Sequence, residues 1–319
     1  MVKNCLVFGK NGLIGKSIVG SLKRTHQSVF SNPKIDWGNK ELVAGQIRDS
    51  VAGFFDGTND ENWVIFWFAG KGGFSVPQEQ FDFDEVNFRC FLEAVEEHMK
   101  DSGLVVLSSS AGALYSSNSD LTFDETSSIN PNSSYGKMKM RQEAALSSFA
   151  TRTGCPSLIT RISTVYGPGS DFRSGYGLIN HLCLADITRS PLEIFVPMET
   201  SRNYIYSEDA GELVVRFALS FNGNENKLQI RNIVAPSSVS VAEIVSTCSK
   251  IFKRKVVFSN RIDNRQDSYN TRFDIKTLFL SDVQQIYWTP ISVGIARVRH
   301  ALNLQLQSVG LDEYSNQEV

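Results

Sequence analysis

A strand, a glycine turn and a helix follow one another at the start of the chain, and this order restricts the fold more than any other stretch. Residues 5–8 (Cys-Leu-Val-Phe) end an apolar run of the kind a buried parallel strand makes. Gly9-Lys10-Asn11-Gly12-Leu13-Ile14-Gly15 follows at once, and Lys16 to Arg24 continues with Ile18, Val19 and Leu22 at helical spacing. That order predicts a dinucleotide site, with the whole Gly9–Gly15 turn as its cofactor-binding residues. The tight turn lets backbone approach a pyrophosphate, and the helix N-terminus offers free N–H groups and the positive end of its dipole. A plain tight turn is the bland alternative, but it needs neither the strand before nor the helix after.

Composition removes several classes of function. A net charge of −2 over 319 residues leaves no field to draw in nucleic acid or an anionic membrane. No apolar run approaches the ~20 residues of a membrane helix, and no charged-then-apolar leader precedes the first strand. The five cysteines are scattered, which argues against a disulfide framework and against a metal site. They predict a reducing, cytoplasmic location.

Further along, Ser28-Val29-Phe30 reads as a second strand and Glu41 to Asp56 as an amphipathic helix. Trp63 to Ala69 is almost continuously apolar, as a central strand covered on both faces would be, with Trp63 and Trp67 in the core. Phe81 to Lys100 has helical spacing, but its apolar residues cover more than one stripe. The excess predicts a second buried face and so a homodimer, through helices 81–100 and 133–153. Gly103 to Leu107 is a strand running into Ser108-Ser109-Ser110, residues 111–132 read as a polar loop, and Ser133–Thr153 and Ser157–Ile162 as helix and strand. The alternation predicts an α/β fold with a parallel, doubly wound sheet. Beyond Tyr166-Gly167-Pro168-Gly169 it loosens. Helices at 177–189, 241–252 and 291–302, with a strand at 192–195, look like a smaller cap, while residues 204–206 and 228–235 are expected to return to the main sheet. The reading is therefore a dinucleotide-binding domain over 1–168 plus a return segment at about 203–235, and a cap over 169–202 and 236–319. The polar tail after Gln305 is expected to fray.

Tyr135 is the tyrosine with a lysine four residues on, Lys139. Positions i and i+4 share a helix face, so the two side chains are neighbours. They open a helix after a strand that ends in three serines, at the carboxyl edge where such sheets bind ligands. A free phenol titrates near ~10, and an adjacent cation is expected to lower that value. Ser110 is placed to hydrogen-bond the same substrate oxygen.

These stretches resemble the extended short-chain dehydrogenase/reductases of the NAD-dependent epimerase/dehydratase (nucleotide-sugar) family. The resemblance spans about Val2 to Ala235 and rests on FGKNGLIG, VIFWFAG, LSSSAGALY, PNSSYGKMK, RISTVYGPG and RNYIYSEDA in the family's order. It implies a Rossmann sheet with a smaller mixed C-terminal substrate-binding cap. It implies Ser110, Tyr135 and Lys139 as the catalytic set, with Ser110 favoured over Ser109 by its spacing from Tyr135. By the same resemblance Lys139 also holds the nicotinamide ribose, Ala69 and Gly70 flank the cofactor, and Arg202 meets the phosphates or ribose of a nucleotide-sugar substrate. Gly177 and Asn180 line the pyrophosphate path. His181 is a further substrate-site residue and a second acid–base group, or else simply structural. Tyr166 and Cys183 are expected to pack.

Two departures narrow the chemistry. Ala111-Gly112-Ala113 stands where the family's dehydratases carry an Asp-Glu pair, so water elimination is not expected. Ser31-Asn32 stands where an NAD enzyme carries a carboxylate for the ribose 2′-hydroxyl. Without that carboxylate a 2′-phosphate meets no repulsion, and Lys10, Asn32 and Lys34 can receive it; NADP (NADPH) is favoured, with NAD possible through Asp36 as a displaced ribose ligand. The turn also resembles those of NADPH-dependent 4-keto-sugar reductases, whereas the serine and YIYSEDA segments look more like the epimerases. The favoured function is NADPH-dependent reduction of a nucleotide-linked 4-keto-6-deoxyhexose, in deoxysugar and surface-polysaccharide precursor synthesis. The alternatives are an NAD-dependent 4-epimerase of a UDP-hexose and a non-catalytic NAD(P)-sensing scaffold.

Overall fold

Strands β1 (Asn4–Phe8), β2 (Ser28–Val29), β3 (Trp63–Trp67), β4 (Leu104–Ser110), β6 (Ser157–Ile162) and β10 (Leu228–Ile233) form one parallel sheet in the order β10-β6-β4-β3-β1-β2. The computed structural model describes residues 3–58, 62–72, 76–99, 103–116, 121–169, 177–222, 226–261, 273–282 and 286–309. Side chains alternate across a strand, and here both faces are buried. Leu6, Phe8, Trp63, Ile65 and Trp67 pack on one side against α2 (Val43–Asp56), α3 (Gln78–His98) and α5 (Ser134–Thr153). Cys5, Val7, Val64 and Phe66 pack on the other against α1 (Leu13–Arg24) and α7 (Ser207–Leu219). This is why residues 63–69 read as an unbroken apolar run: a doubly wound sheet has no wet face.

The sheet order reverses between β1 and β3, and the glycine turn lies at that point. Gly9 approaches so closely that a Cβ there would sit 2.3 Å from the Phe68 carbonyl oxygen. Ligands of open α/β sheets bind at such a switch point, beyond the carboxyl ends of the strands. On the far side of the sheet's mouth, α5 is started by the Ser133 side chain, which accepts the Gly136 N–H at 3.0 Å, and ended by Gly154 at φ +69°. Its first turn carries Tyr135.

Four expectations change. Residues 204–206 do not join the main sheet. The chain leaves the sheet at Ser163, so β7 (Thr164–Tyr166), β9 (Ser201–Tyr206) and β11 (Ser238–Ser240) form a separate three-stranded sheet, and β10 alone takes the main edge. Asn203 ties the two sheets, its Oδ1 accepting from Ser163 Oγ and from the Ala235 N–H, each at 2.9 Å. The polar stretch 111–132 contains α4 (Ala111–Leu114) and β5 (Thr122–Phe123), the latter pairing with β13 (Asp274–Ile275). Tyr115, Phe123 and Phe273 stack there, and that small apolar cluster is hidden by the polar residues between.

The broad apolar surface of α3 is absorbed within the subunit. It lies between α2 and α5, with Phe88, Phe91, Leu92 and Val95 buried in the main core; Val86 remains 61% exposed. Packing within the subunit therefore accounts for most of that surplus apolar face. Lys100, at its expected end, lies outside the described residues. Finally α9 (Ile291–Val309) runs past Gln305, because Leu302 and Leu306 pack inward; residues 310–319 are outside the described set. Helices α6 (Leu178–Thr188), α8 (Val241–Phe252) and α9 gather around Ile179, Leu182, Ile244 and Val298 as a separate apolar cluster. No described helix is long and apolar enough to cross a membrane.

Candidate active site

The glycine turn presents backbone at the mouth of the sheet. A Cβ on Gly15 would lie 2.0 Å from the Gly9 carbonyl oxygen, and Gly9 itself holds φ +79°, so neither position admits a side chain. Gly12 is the N-cap of α1 and brings no side chain to cover the helix start. A cradle of close backbone at a helix N-terminus fits the pyrophosphate of a dinucleotide. Asn11 is exposed and Leu13 and Ile14 are half-buried on the same turn. Ala69 and Gly70 follow β3 beside it, Gly70 at φ +129°.

At the end of β2, Lys10 Nζ donates to both the carbonyl and the side-chain oxygen of Asn32, each at 2.9 Å. The cation is therefore held against the segment that follows β2. Lys34 is exposed nearby in sequence, and Asp36 Oδ1 accepts the Gly38 N–H at 3.2 Å in a turn of its own.

Tyr135 and Lys139 lie on one face of α5. Lys139 is 5% exposed; its Nζ donates to the Ser108 carbonyl at 2.9 Å and to Gln142 Oε1 at 3.1 Å, and sits 5.8 Å from the Tyr135 ring centre. Burial brings its ammonium down to about 8, against the carboxylates of Asp84 and Glu143, which raise it. The Tyr135 phenol moves opposite to the expectation. Burial pushes it up to about 12, its hydrogen bond with Ser110 works downward, and the Asp84 carboxylate adds to the rise. The physical reason is that Lys139 turns its protons to a backbone carbonyl and an amide, while the half-buried phenol packs against Phe81 and feels the Asp84 carboxylate.

The two serines of β4 separate by strand alternation. Ser109 Oγ donates to Glu143 Oε1 at 2.6 Å inside a buried network. Arg161 completes it, bonding Glu143 through Nε at 3.0 Å and Nη2 at 2.8 Å and donating from Nη1 to the Tyr115 hydroxyl at 2.9 Å. Ser110 faces the other way, where its hydroxyl works to lower the Tyr135 phenol, and it accepts the Ala113 N–H at 3.4 Å.

Gly177, Asn180 and His181 stand together at the start of α6, with Gly177 as its N-cap at φ +85°. Asn180 Oδ1 is buried without a hydrogen-bond partner among the described residues. Arg202 lies on β9, donating to the Ser201 carbonyl at 2.8 Å with its guanidinium 5.5 Å from the Phe273 ring centre. Tyr166 packs under α9, where Gly294 leaves room for its ring, and Cys183 is buried.

Sequence reasoning missed Asp84, Gln142 and the Glu143–Arg161 pair. Asp84 did carry a signal: it stands three residues after Phe81 and four before Phe88, a carboxylate within an apolar helix face. Gln142 and Glu143 lie one turn beyond Lys139, which marks them as its neighbours.

A family model described as "NAD dependent epimerase/dehydratase family" matches residues 5–232. Among curated proteins, a dTDP-4-dehydro-6-deoxyglucose reductase of Escherichia coli is 27% identical over 64% of this chain and 61% of its own length. A putative UDP-glucose 4-epimerase of Methanocaldococcus jannaschii is 26% identical over 92% of this chain and 96% of its own. Among solved structures, the UDP-glucuronic acid 4-epimerase of Bacillus cereus, in complex with UDP-glucuronic acid and NAD, superposes with a TM-score of 0.75. That match covers 95% of this chain and 99% of the other at 19% identity, a likeness of fold.

Proposed function

Because the chain belongs to the NAD-dependent epimerase/dehydratase family, we propose that it reduces a nucleotide-linked 4-keto-6-deoxyhexose with NADPH. The observation that carries this is the placement of the Tyr135–Lys139 pair: a phenol on the first turn of α5, with Lys139 Nζ 5.8 Å from its ring centre, at the carboxyl end of the sheet beside the glycine turn. A bound NADPH supplies hydride to the sugar C4. As the C4 oxygen gains charge, the Tyr135 O–H bond breaks and its proton goes to that oxygen, which Ser110 holds by a hydrogen bond. Lys139 keeps positive charge next to the phenolate left behind, and orients the ribose. Arg202, Gly177, Asn180 and His181 are read as contacts to the nucleotide sugar; the unpartnered Asn180 Oδ1 supports that for one of them.

The choice of NADPH rests on the Lys10–Asn32 contact, which keeps a cation where a 2′-phosphate would lie, and on Asp36 being engaged by Gly38. Five buried free thiols suit a reducing, cytoplasmic setting. A homodimer through α3 and α5 belongs to the same reading, with Val86 and Met140 exposed on those helices.

The test is incubation with dTDP-4-keto-6-deoxyglucose and NADPH, following loss of the reduced nicotinamide absorbance. Turnover should vanish in Tyr135→Phe while NADPH still binds. If purified protein instead carries tight NAD and interconverts UDP-hexoses without consuming added cofactor, the reductase gives way to the 4-epimerase.

A further inference from the structure

Helix α3 sets a carboxylate among apolar neighbours. Asp84 is 8% exposed, on the face that carries Phe81 and Phe88. Its Oδ2 accepts the backbone N–H of Lys71 at 2.9 Å, and its Oδ1 accepts Gln80 Nε2 at 2.9 Å. A Cβ on Gly70 would stand 3.2 Å from Asp84 Oδ2, and one on Gly72 would stand 3.5 Å from the Tyr135 hydroxyl oxygen. Carboxylate and phenol therefore bracket the same short stretch of backbone, residues 70–72. Phe81, one turn earlier on α3, has its ring centre 5.8 Å from that of Tyr135. Gln142 closes the arrangement, donating to the Asp84 backbone carbonyl at 3.5 Å and accepting from Lys139 at 3.1 Å.

Clipping a loop needs only a hydrogen-bond acceptor, and an uncharged amide would serve. A buried negative charge costs far more unless a cation answers it. The donors that Asp84 shows are a backbone N–H and an amide, both neutral. Among the described cations, Lys139 is one whose ammonium the Asp84 carboxylate raises.

We infer that Asp84 is a positioning residue that clips residues 70–72 against the Tyr135 phenol and, by its charge, holds the Tyr135–Lys139 pair in its fully protonated form. The inference rests on the reductase reading for its purpose, since reduction begins from a protonated phenol. The charged and titratable groups that face the pair are Asp84 from α3 and Glu143 from α5, with Arg161 of β6 behind Glu143. Glu143 is bound through both oxygens by Arg161, so most of its charge is already answered. Asp84 acts upward on both members of the pair, which fits the assignment.

Asp84→Asn separates charge from clip, since the amide oxygen can still accept the Lys71 N–H. The Lys139 ammonium is followed by NMR on protein carrying lysine labelled at the side-chain methylene carbon, its signal assigned by its loss in Lys139→Met. The expected result is a titration midpoint at least about half a pH unit lower in Asp84→Asn than in wild type. With substrate and NADPH, the alkaline limb of the rate profile should move down by the same amount. An unchanged midpoint overturns the inference, whatever happens to the rate. Should Asp84→Asn fail to fold, Asp84→Ser, also uncharged and able to accept, carries the same two outcomes. The titration needs neither substrate nor cofactor: a shifted midpoint without reductase activity would keep Asp84 in this role and remove the reductase reading.

Discussion

Lys139 offers the sharpest quantitative test, because its burial has a thermodynamic signature that no surface lysine shares. The folded protein holds it at about 8, from an ordinary value of 10.5. The folded value is the lower one, so between the two the unfolded chain binds more protons than the folded, and stability rises with pH across that window. Below about pH 8 both states are protonated and the cost of burying the charge is carried in full; above about 10.5 both are neutral and it is gone. Each unit of displacement is worth about 1.4 kcal/mol. Between pH 7 and 9.5 wild type should therefore gain about 2 kcal/mol relative to Lys139→Met, in which the titrating group is absent. Comparing the two proteins cancels the tyrosines, cysteines and other lysines that titrate in the same range. The assay is urea unfolding at half-unit intervals, read as midpoint times slope. Parallel stability profiles, or a wild type that loses ground as the pH rises, would refute the claim that this ammonium is desolvated. At pH 7 the size of the difference is not the test, since the substitution also strands the Ser108 carbonyl and Gln142 Oε1.

Two other perturbations follow from the same contacts. Gly15→Ala drives a methyl to 2.0 Å from the Gly9 carbonyl oxygen, so the turn must open; cofactor binding, measured by nicotinamide fluorescence, should fall at least about tenfold, and an unchanged affinity would remove the turn from the cofactor site. Glu143→Gln leaves the Arg161 guanidinium buried without its counter-charge, at 5% side-chain exposure, and should cost about 3–5 kcal/mol in chemical unfolding. A loss under about 1 kcal/mol would show that the substituted amide oxygen and the Tyr115 hydroxyl suffice to hold Arg161.

What the sequence determined is what depends on nearest neighbours along the chain. A turn with φ > 0 at Gly9 and no space at Gly15 is a local requirement, so glycine at those positions exposes it. A tyrosine and a lysine four apart share a helix face in any fold, and Tyr135 and Lys139 do. The apolar run at 63–67 announced a strand buried on both sides. Tertiary structure alone decided the rest. Whether Ser109 or Ser110 meets the phenol depends on which way β4 faces α5, and a strand's register with a helix is not written in the strand. Residues 201–206 carry as much strand character as 228–233, yet they pair with 164–166 in the small sheet while 228–233 pair with 157–162 at the main edge, the pairing changing across Ser163. The proton affinity of Tyr135 was misjudged because adjacency on a helix counts charge but not water. Burial and the Asp84 carboxylate, both brought there by packing α3 on α5, decide its direction, and the lysine one turn away turns its protons elsewhere.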